Sequence, residues 1–241
     1  MAKDHHRRNP PWQRDELILA LDLYFRHNPA HLSREHAEIE RLSRILNDLP
    51  IHPTRPDAAT FRNDNAVYMK LCNFLRFDPS YSGTGLTRGG SLEKAIWDEF
   101  ANDPAILRKV AQAIVDGTNS VENLDFGPDE DEAAFPEGRI LYRLHRQRER
   151  NPTVVREVKR KANATGSLCC AVCQFDFFAS YGELGKGFIE CHHTMPVSEY
   201  RPGQKTKVAD LSLVCANCHR MLHRRRPWLT VSELCGLWQS D

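Results

Sequence analysis

The sequence predicts an α+β protein: a helical N-terminal half, then a C-terminal half in which strand and helix share metal-binding side chains. Three observations predict it. Apolar residues recur at helical spacing through most of residues 12–117. The adjacent His192 and His193 are followed by His219 and His223, four apart. Two C-x-x-C pairs, Cys170/Cys173 and Cys215/Cys218, flank the first His pair.

Taken in order, Pro10 and Pro11 precede a helix on which Leu17, Leu21 and Tyr24 share a face. Ser33 is placed to cap a second helix, with Ile39, Leu42, Leu46 and Leu49 on one side and Pro50 as its stop. A proline-containing loop over residues 51–60 follows. Asn63 or Asn65 can cap a third helix carrying Val67, Leu71 and Phe74 or Leu75. The Gly-rich stretch 80–91 lacks the phosphate-loop pattern and reads as a turn or loop. Ser91 then caps a helix with Leu92, Ile96 and Phe100, and Asp103-Pro104 opens the last, ending near Gly117.

The domain reading is therefore a helical unit over 1–117, an acidic linker over 118–137, and a second unit over 138–241. Residues 118–137 carry seven acidic and no basic side chains, whereas 138–161 carry nine basic and two acidic ones. The net charge of +1 hides this segregation. A basic block is the footprint of phosphate contacts; a solvated helix face is the plainer explanation. Its first half reads as strand or helix, and Asn151-Pro152 starts a helix. The run 174–178 reads as core packing. Thr230 caps a final helix, with Val231, Leu234, Leu237 and Trp238 facing inward.

No stretch approaches the roughly 20 apolar residues of a membrane span, and the N-terminus lacks the apolar core of a secretory signal. A cytoplasmic chain is expected. In that setting the paired C-x-x-C motifs read as a four-thiolate structural Zn²⁺ site rather than disulfides. Cys170 is preferred over Cys169 because it gives the two-residue spacer, and Cys72, Cys191 and Cys235 read as small core residues.

On a strand, His192 and His193 point to opposite faces; on a helix, His219 and His223 share one. His192, His219 and His223 then form a three-imidazole metal site, and His193 is left free to act as a base.

At these residues the chain resembles the HNH, or ββα-metal, endonucleases, and among them the McrA-type restriction enzymes of modified DNA. The resemblance implies a strand near 186–193, a second strand over 211–214 and a helix over 216–224. It implies that His193 is the general base and that His192, His219 and His223 hold the catalytic ion, Mg²⁺ or Mn²⁺ in relatives. The middle residue of the motif falls on Asp210 or Asn217. Glu190, on the same strand face as His192, can orient a metal ligand.

The segments 15–26, 61–74 and 88–101 also resemble the DNA-reading domain that precedes such nucleases. That implies recognition of modified cytosine, with Arg62, Asn63, Asn65, Lys70, Asn73 and Arg76 as candidate contacts. Arg201, Lys205, Lys207, Arg220 and Arg224–Arg226 are candidate phosphate contacts in the nuclease half. Double-stranded DNA is the expected partner, and a homodimer is expected because one such site cuts one strand. Two other readings fit the sequence: a mobile-element nuclease acting on unmodified DNA, and a zinc-stabilised DNA-binding protein without catalysis.

Overall fold

The computed structural model describes residues 8–29, 32–83, 90–121, 138–149, 151–164, 166, 168–196, 199–200, 204–225 and 228–238. Most of the Gly-rich loop, residues 122–137 of the acidic stretch, Arg201 and Arg226 lie outside them. The chain divides into two compact units, the first taking the described residues up to Leu141 and the second those from Tyr142 on. Among the described residues no helix is long and apolar enough to cross a membrane.

The first unit is built around α1 (Arg14–Arg26), against which α2 (Ala37–Asp48), α3 (Asp64–Phe74), α4 (Ser91–Phe100) and α5 (Pro104–Val121) all pack. Every residue of α1 from Asp15 to Tyr24 is buried. Ile39, Phe61, Leu71, Phe74 and Phe100 of the same unit are likewise buried, each 2 % exposed or less. Asn63 caps α3, accepting from the Ala66 amide at 2.9 Å. Asp103 caps α5 through the Ile106 amide, also 2.9 Å.

Two caps differ from expectation. His36, not Ser33, precedes α2, its Nδ1 accepting from the Glu38 amide at 3.2 Å. Gly90 precedes α4, and Ser91 is its first helical residue. Helix α5 also runs past Gly117 to Val121. A glycine inside a helix costs only about 1 kcal/mol. Thr118 Oγ1 also donates to the Ile114 carbonyl in that turn.

The basic stretch begins as a helix, α6 (Arg139–Glu149). Its first turn belongs to the first unit. The buried Asp15 accepts the Arg139 and Ile140 amides at 2.8 and 3.1 Å, filling donors that a helix N-terminus leaves open. Gly138 makes this contact possible: its φ is +93°, and a Cβ there would sit 2.7 Å from the Asp15 carboxylate. Burial raises the Asp15 pKa against those amide bonds.

In the second unit, strands β1 (Glu190–His193) and β2 (Leu211–Val214) pair antiparallel, Glu190 opposite Val214 and His193 opposite Leu211. Alternation along β2 sends Leu211 and Leu213 to one apolar cluster and Val214 to another. The Leu211 cluster takes Val154, Val155, Val158 and Ala162 of α7 (Pro152–Ala164). The Val214 cluster holds Cys170, Cys215, Cys218, Leu222 of α9 (Ala216–Leu222) and Leu234 of α10 (Val231–Leu237). Between α7 and β1 lies a short helix, α8 (Phe177–Tyr181).

β1 is shorter than the expected 186–193, because a 3₁₀ turn occupies Gly182–Gly185 and Gly187 takes φ +72°. Of the aromatic run, only Phe177 packs on the core, while Phe175 and Phe178 are exposed. Thr230 caps α10 in a reciprocal box with Glu233. Leu237 and Trp238, expected inward, are exposed, and so is Cys235. One seven-residue helix buries only the stripe led by Val231 and Leu234.

Candidate active site and metal centres

The β1–β2 hairpin and α9 bring the expected histidines together. Counting one ligand atom from each residue, His192, His219 and His223 lie within 4.8 Å of one another. The group includes two residues from α6, His145 and Glu149. His192 is 2 % exposed, and its ring lies 5.2 Å from that of His219 and 4.9 Å from that of His223.

His219 is gripped at both ring nitrogens. Nδ1 lies 2.7 Å from Glu190 Oε2 and Nε2 lies 2.9 Å from Glu149 Oε1. Burial alone would lower the His219 pKa, but these two carboxylates outweigh it and raise it to about 9. Burial would likewise raise Glu149, yet His145 and His219 hold it well below the usual carboxylate range. Burial and the neighbouring His219 push His192 down to about 3, and burial with the surrounding histidines brings His223 to about 2. His192 and His223 are thus held neutral and Glu149 ionised, the protonation states a metal requires, while His219, kept protonated between its two carboxylates, would release its Nε2 proton on binding an ion. The donor set therefore fits a divalent ion.

His193 is fully buried and lies outside this group of ligand atoms, although its ring is 5.6 Å from that of His145. Its Nε2 lies 3.2 Å from Thr206 Oγ1, and its ring lies 5.9 Å from that of Tyr200. Asp210 precedes β2 directly. Its carbonyl accepts from the Thr194 amide at 2.9 Å, and its carboxylate accepts from the Lys207 amide at 2.8 Å. It thus ties the chain leaving His193 to the start of β2. Asn217 is exposed on α9 and outside the cluster.

The second cluster is sulfur. Cys170, Cys173, Cys215 and Cys218 offer four Sγ atoms within 4.8 Å of one another, and none is in a disulfide. Cys173 and Cys215 are 3.7 Å apart, close to the edge of a tetrahedron with Zn–S bonds of about 2.3 Å, roughly 3.8 Å. The Cys215 sulfur also accepts from the Cys218 amide at 3.4 Å, the turn that opens α9. Burial would raise the Cys170 thiol, but backbone amides led by Cys173 and Cys215 bring it down to about 7. The group fits a structural zinc ion. Cys169 turns away toward Asp176, at 3.7 Å, and burial pushes the Cys191 thiol up to about 11.

The N-terminal candidates fare differently. Arg62, expected at DNA, is an interior residue: it is 3 % exposed, and its guanidinium meets Glu16 at 2.9 Å and the Pro10 and Pro11 carbonyls at 3.1 Å. It is sandwiched over Trp12 and Phe61 and held at φ +46°. Lys70 is spent on Glu93, at 2.5 Å with both side chains nearly covered. Asn63 is a cap. Asn65 and Arg76 are exposed and Asn73 is half-buried; in the second unit Arg220, Arg224, Lys205 and Lys207 are exposed.

His145 and Glu149 are the residues that sequence reasoning missed. Their i, i+4 spacing places them on one helical face, but only if residues 139–149 are helical, which the sequence left open. Thr206 carried no signal at all, because only the folded loop brings it to His193.

Two short antiparallel strands and a helix surround this His-rich pocket in a ββα arrangement. Residues 170–225 match the family model described as HNH endonuclease, so the second unit carries an HNH endonuclease domain. No curated protein and no solved structure matches the chain.

Proposed function

We propose that this chain is a metal-dependent endonuclease that hydrolyses phosphodiester bonds in double-stranded DNA and restricts DNA carrying modified cytosine, 5-methyl or 5-hydroxymethyl. The observation that supports the nuclease reading is the split within ECHH: His192 joins His219 and His223 in one group of ligand atoms, while the adjacent His193 lies outside it, its Nε2 3.2 Å from Thr206 Oγ1. His192, His219 and His223 would hold the ion, Mg²⁺ or Mn²⁺, which when bound neutralises phosphate charge and stabilises the leaving oxygen. His193 takes the proton from the attacking water. Thr206 orients its ring, Asp210 holds the loop that follows it, and Glu190 fixes the tautomer and aim of His219.

Zinc on the four cysteines would hold the start of α9, and with it His219 and His223, against β2. The exposed side of α7, with Arg156, Arg160 and Lys161, supplies phosphate contacts alongside Arg220. One such site cuts one strand, so a double-strand break calls for two chains acting as a homodimer. Selection for modified cytosine rests on the helical unit, with Asn65, Asn73 and Arg76 as its accessible polar candidates.

The test is cleavage of one plasmid prepared unmodified, methylated and hydroxymethylated, by the parent and by His193→Ala. Cleavage is expected on the modified forms, with the variant slower by about 10²- to 10⁴-fold, the usual worth of a general base. A His193→Ala chain that cuts within tenfold of the parent removes His193 from that role.

A further inference from the structure

Helix α6, which precedes the family-matched segment with α7 between them, sends an acid into the centre of the histidine pocket. Glu149 closes α6, is 10 % exposed, and places Oε1 2.9 Å from His219 Nε2, 2.8 Å from His145 Nε2 and 3.9 Å from His192 Nδ1. We propose that Glu149 is a fourth ligand of the catalytic ion, supplied from outside the ββα core, and that His145 is the residue that positions it. The inference rests on the three-histidine reading of the site and adds a carboxylate to it.

Three features of the pocket support this role. Glu190 occupies His219 Nδ1, so Nε2 is the nitrogen left for a metal, and Nε2 faces Glu149. Two ligands at about 2.1 Å in an octahedron stand about 3.0 Å apart, and the Nε2–Oε1 separation is 2.9 Å. His145 is fixed from several sides, its ring 4.7 Å from His223 and 5.5 Å from Trp228. The 2.8 Å contact of its Nε2 with the Glu149 carboxylate is therefore made from a closely packed ring.

A carboxylate changes which ion the pocket prefers. Three imidazoles alone suit nickel, copper and zinc; an anionic oxygen shifts the balance toward manganese and magnesium. Removing it should therefore penalise a hard ion more than an imidazole-loving one.

The experiment uses the full chain with its cysteine site loaded with zinc, and titrates Mn²⁺ by loss of the free-ion electron paramagnetic resonance signal and Ni²⁺ by calorimetry. Glu149→Gln should weaken Mn²⁺ binding more than tenfold and Ni²⁺ binding less than threefold. His145→Ala should weaken Mn²⁺ less than Glu149→Gln does. Equal losses for both ions would make Glu149 a mere support of the histidines, and unchanged or tighter Mn²⁺ binding would make it a competitor of the ion; either overturns the proposal. His219→Ala separates the two levels. If it abolishes binding while Glu149→Gln does not, only this inference fails; if neither matters, the three-histidine site fails with it. Should Glu149→Gln not fold, the Mn²⁺-loaded parent crystal decides: a Glu149 oxygen is expected within about 2.2 Å of the anomalous peak, and one beyond about 3 Å refutes it.

Discussion

A buried charge must be answered by its neighbours, and in the first unit Glu16 and Arg62 answer each other, with His52 Nε2 3.0 Å from the same carboxylate. Removing one partner of such a pair strands the other, at a cost of about 3–5 kcal/mol. Arg62→Ala should therefore lower the urea midpoint sharply, and any loss of DNA affinity should follow the loss of folded protein. A variant as stable as the parent but weaker on DNA would return Arg62 to the DNA surface. Burial would raise the Glu16 pKa, but the bonds from His52 and Arg62 outweigh it and lower it. A lowered folded-state value gives stability that is present above the unfolded carboxylate pKa, about 4.3, and is lost as pH falls through the folded one. Denaturation midpoints of Glu16→Gln should lack part of this acid loss; an unchanged acid profile would refute the assignment. Arg62 is a case where the sequence misleads, because an arginine beside asparagines near a helix start looks the same whether it meets DNA or Glu16. His192, His193, His219 and His223 were legible for the opposite reason: adjacency on a strand and i, i+4 on a helix translate into position without tertiary knowledge.

At the scale of elements, the four cysteines pin the knuckle at 170–173 to the end of β2 and the start of α9. The Ala171 amide donates to the Leu213 carbonyl at 2.8 Å, and the Cys170 carbonyl accepts from Gln174 at 2.9 Å. The pocket histidines His219 and His223 ride on the helix that begins there, so the sulfur site sets the aim of the histidine site. Structural zinc is worth about 10–16 kcal/mol in small zinc domains, comparable to the whole stability of an ordinary domain. Cys215→Ser, or stripping zinc with a strong chelator, should therefore abolish amide protection across β1, β2 and α9. Folded, protected protein that holds no zinc by metal analysis would refute the site. Spacing sufficed to choose Cys170, because the two-residue spacer matches the second pair. It could not find α8 or the shortened β1, since a five-residue helix and a 3₁₀ turn carry too few residues for a period to emerge. Nor could it find Glu149, whose role depends on α6 being a helix and on where that helix points.

For the whole molecule, the proposed nuclease function needs a filter that keeps a module gripping the DNA backbone from cutting indiscriminately. Phosphate contacts position an enzyme but carry no sequence information, so the basic side of α7 and Arg220 cannot provide a filter. The remaining candidate within this chain is the helical unit, whose residues 1–117 hold equal numbers of acidic and basic side chains. A charge-neutral unit gains little from non-specific phosphate attraction, which favours a role in selection. Two of its cations, Arg62 and Lys70, are moreover consumed internally. A 5-methyl group buried in a major-groove pocket contributes about 0.8 kcal/mol, or roughly fourfold in affinity; a larger preference requires that the unmodified base clash or leave a polar group unsatisfied. Binding should be measured on the full chain made inactive by His193→Ala. Titration against paired duplexes that differ only in cytosine modification should show at least a several-fold preference for the modified one. The preference should persist when Arg156, Arg160 and Lys161 are changed to alanine, while affinity for both duplexes falls together and the salt slope shrinks by about 0.9 for each phosphate no longer neutralised. Equal affinity for the two duplexes would leave the nuclease reading intact and move the substrate to unmodified DNA.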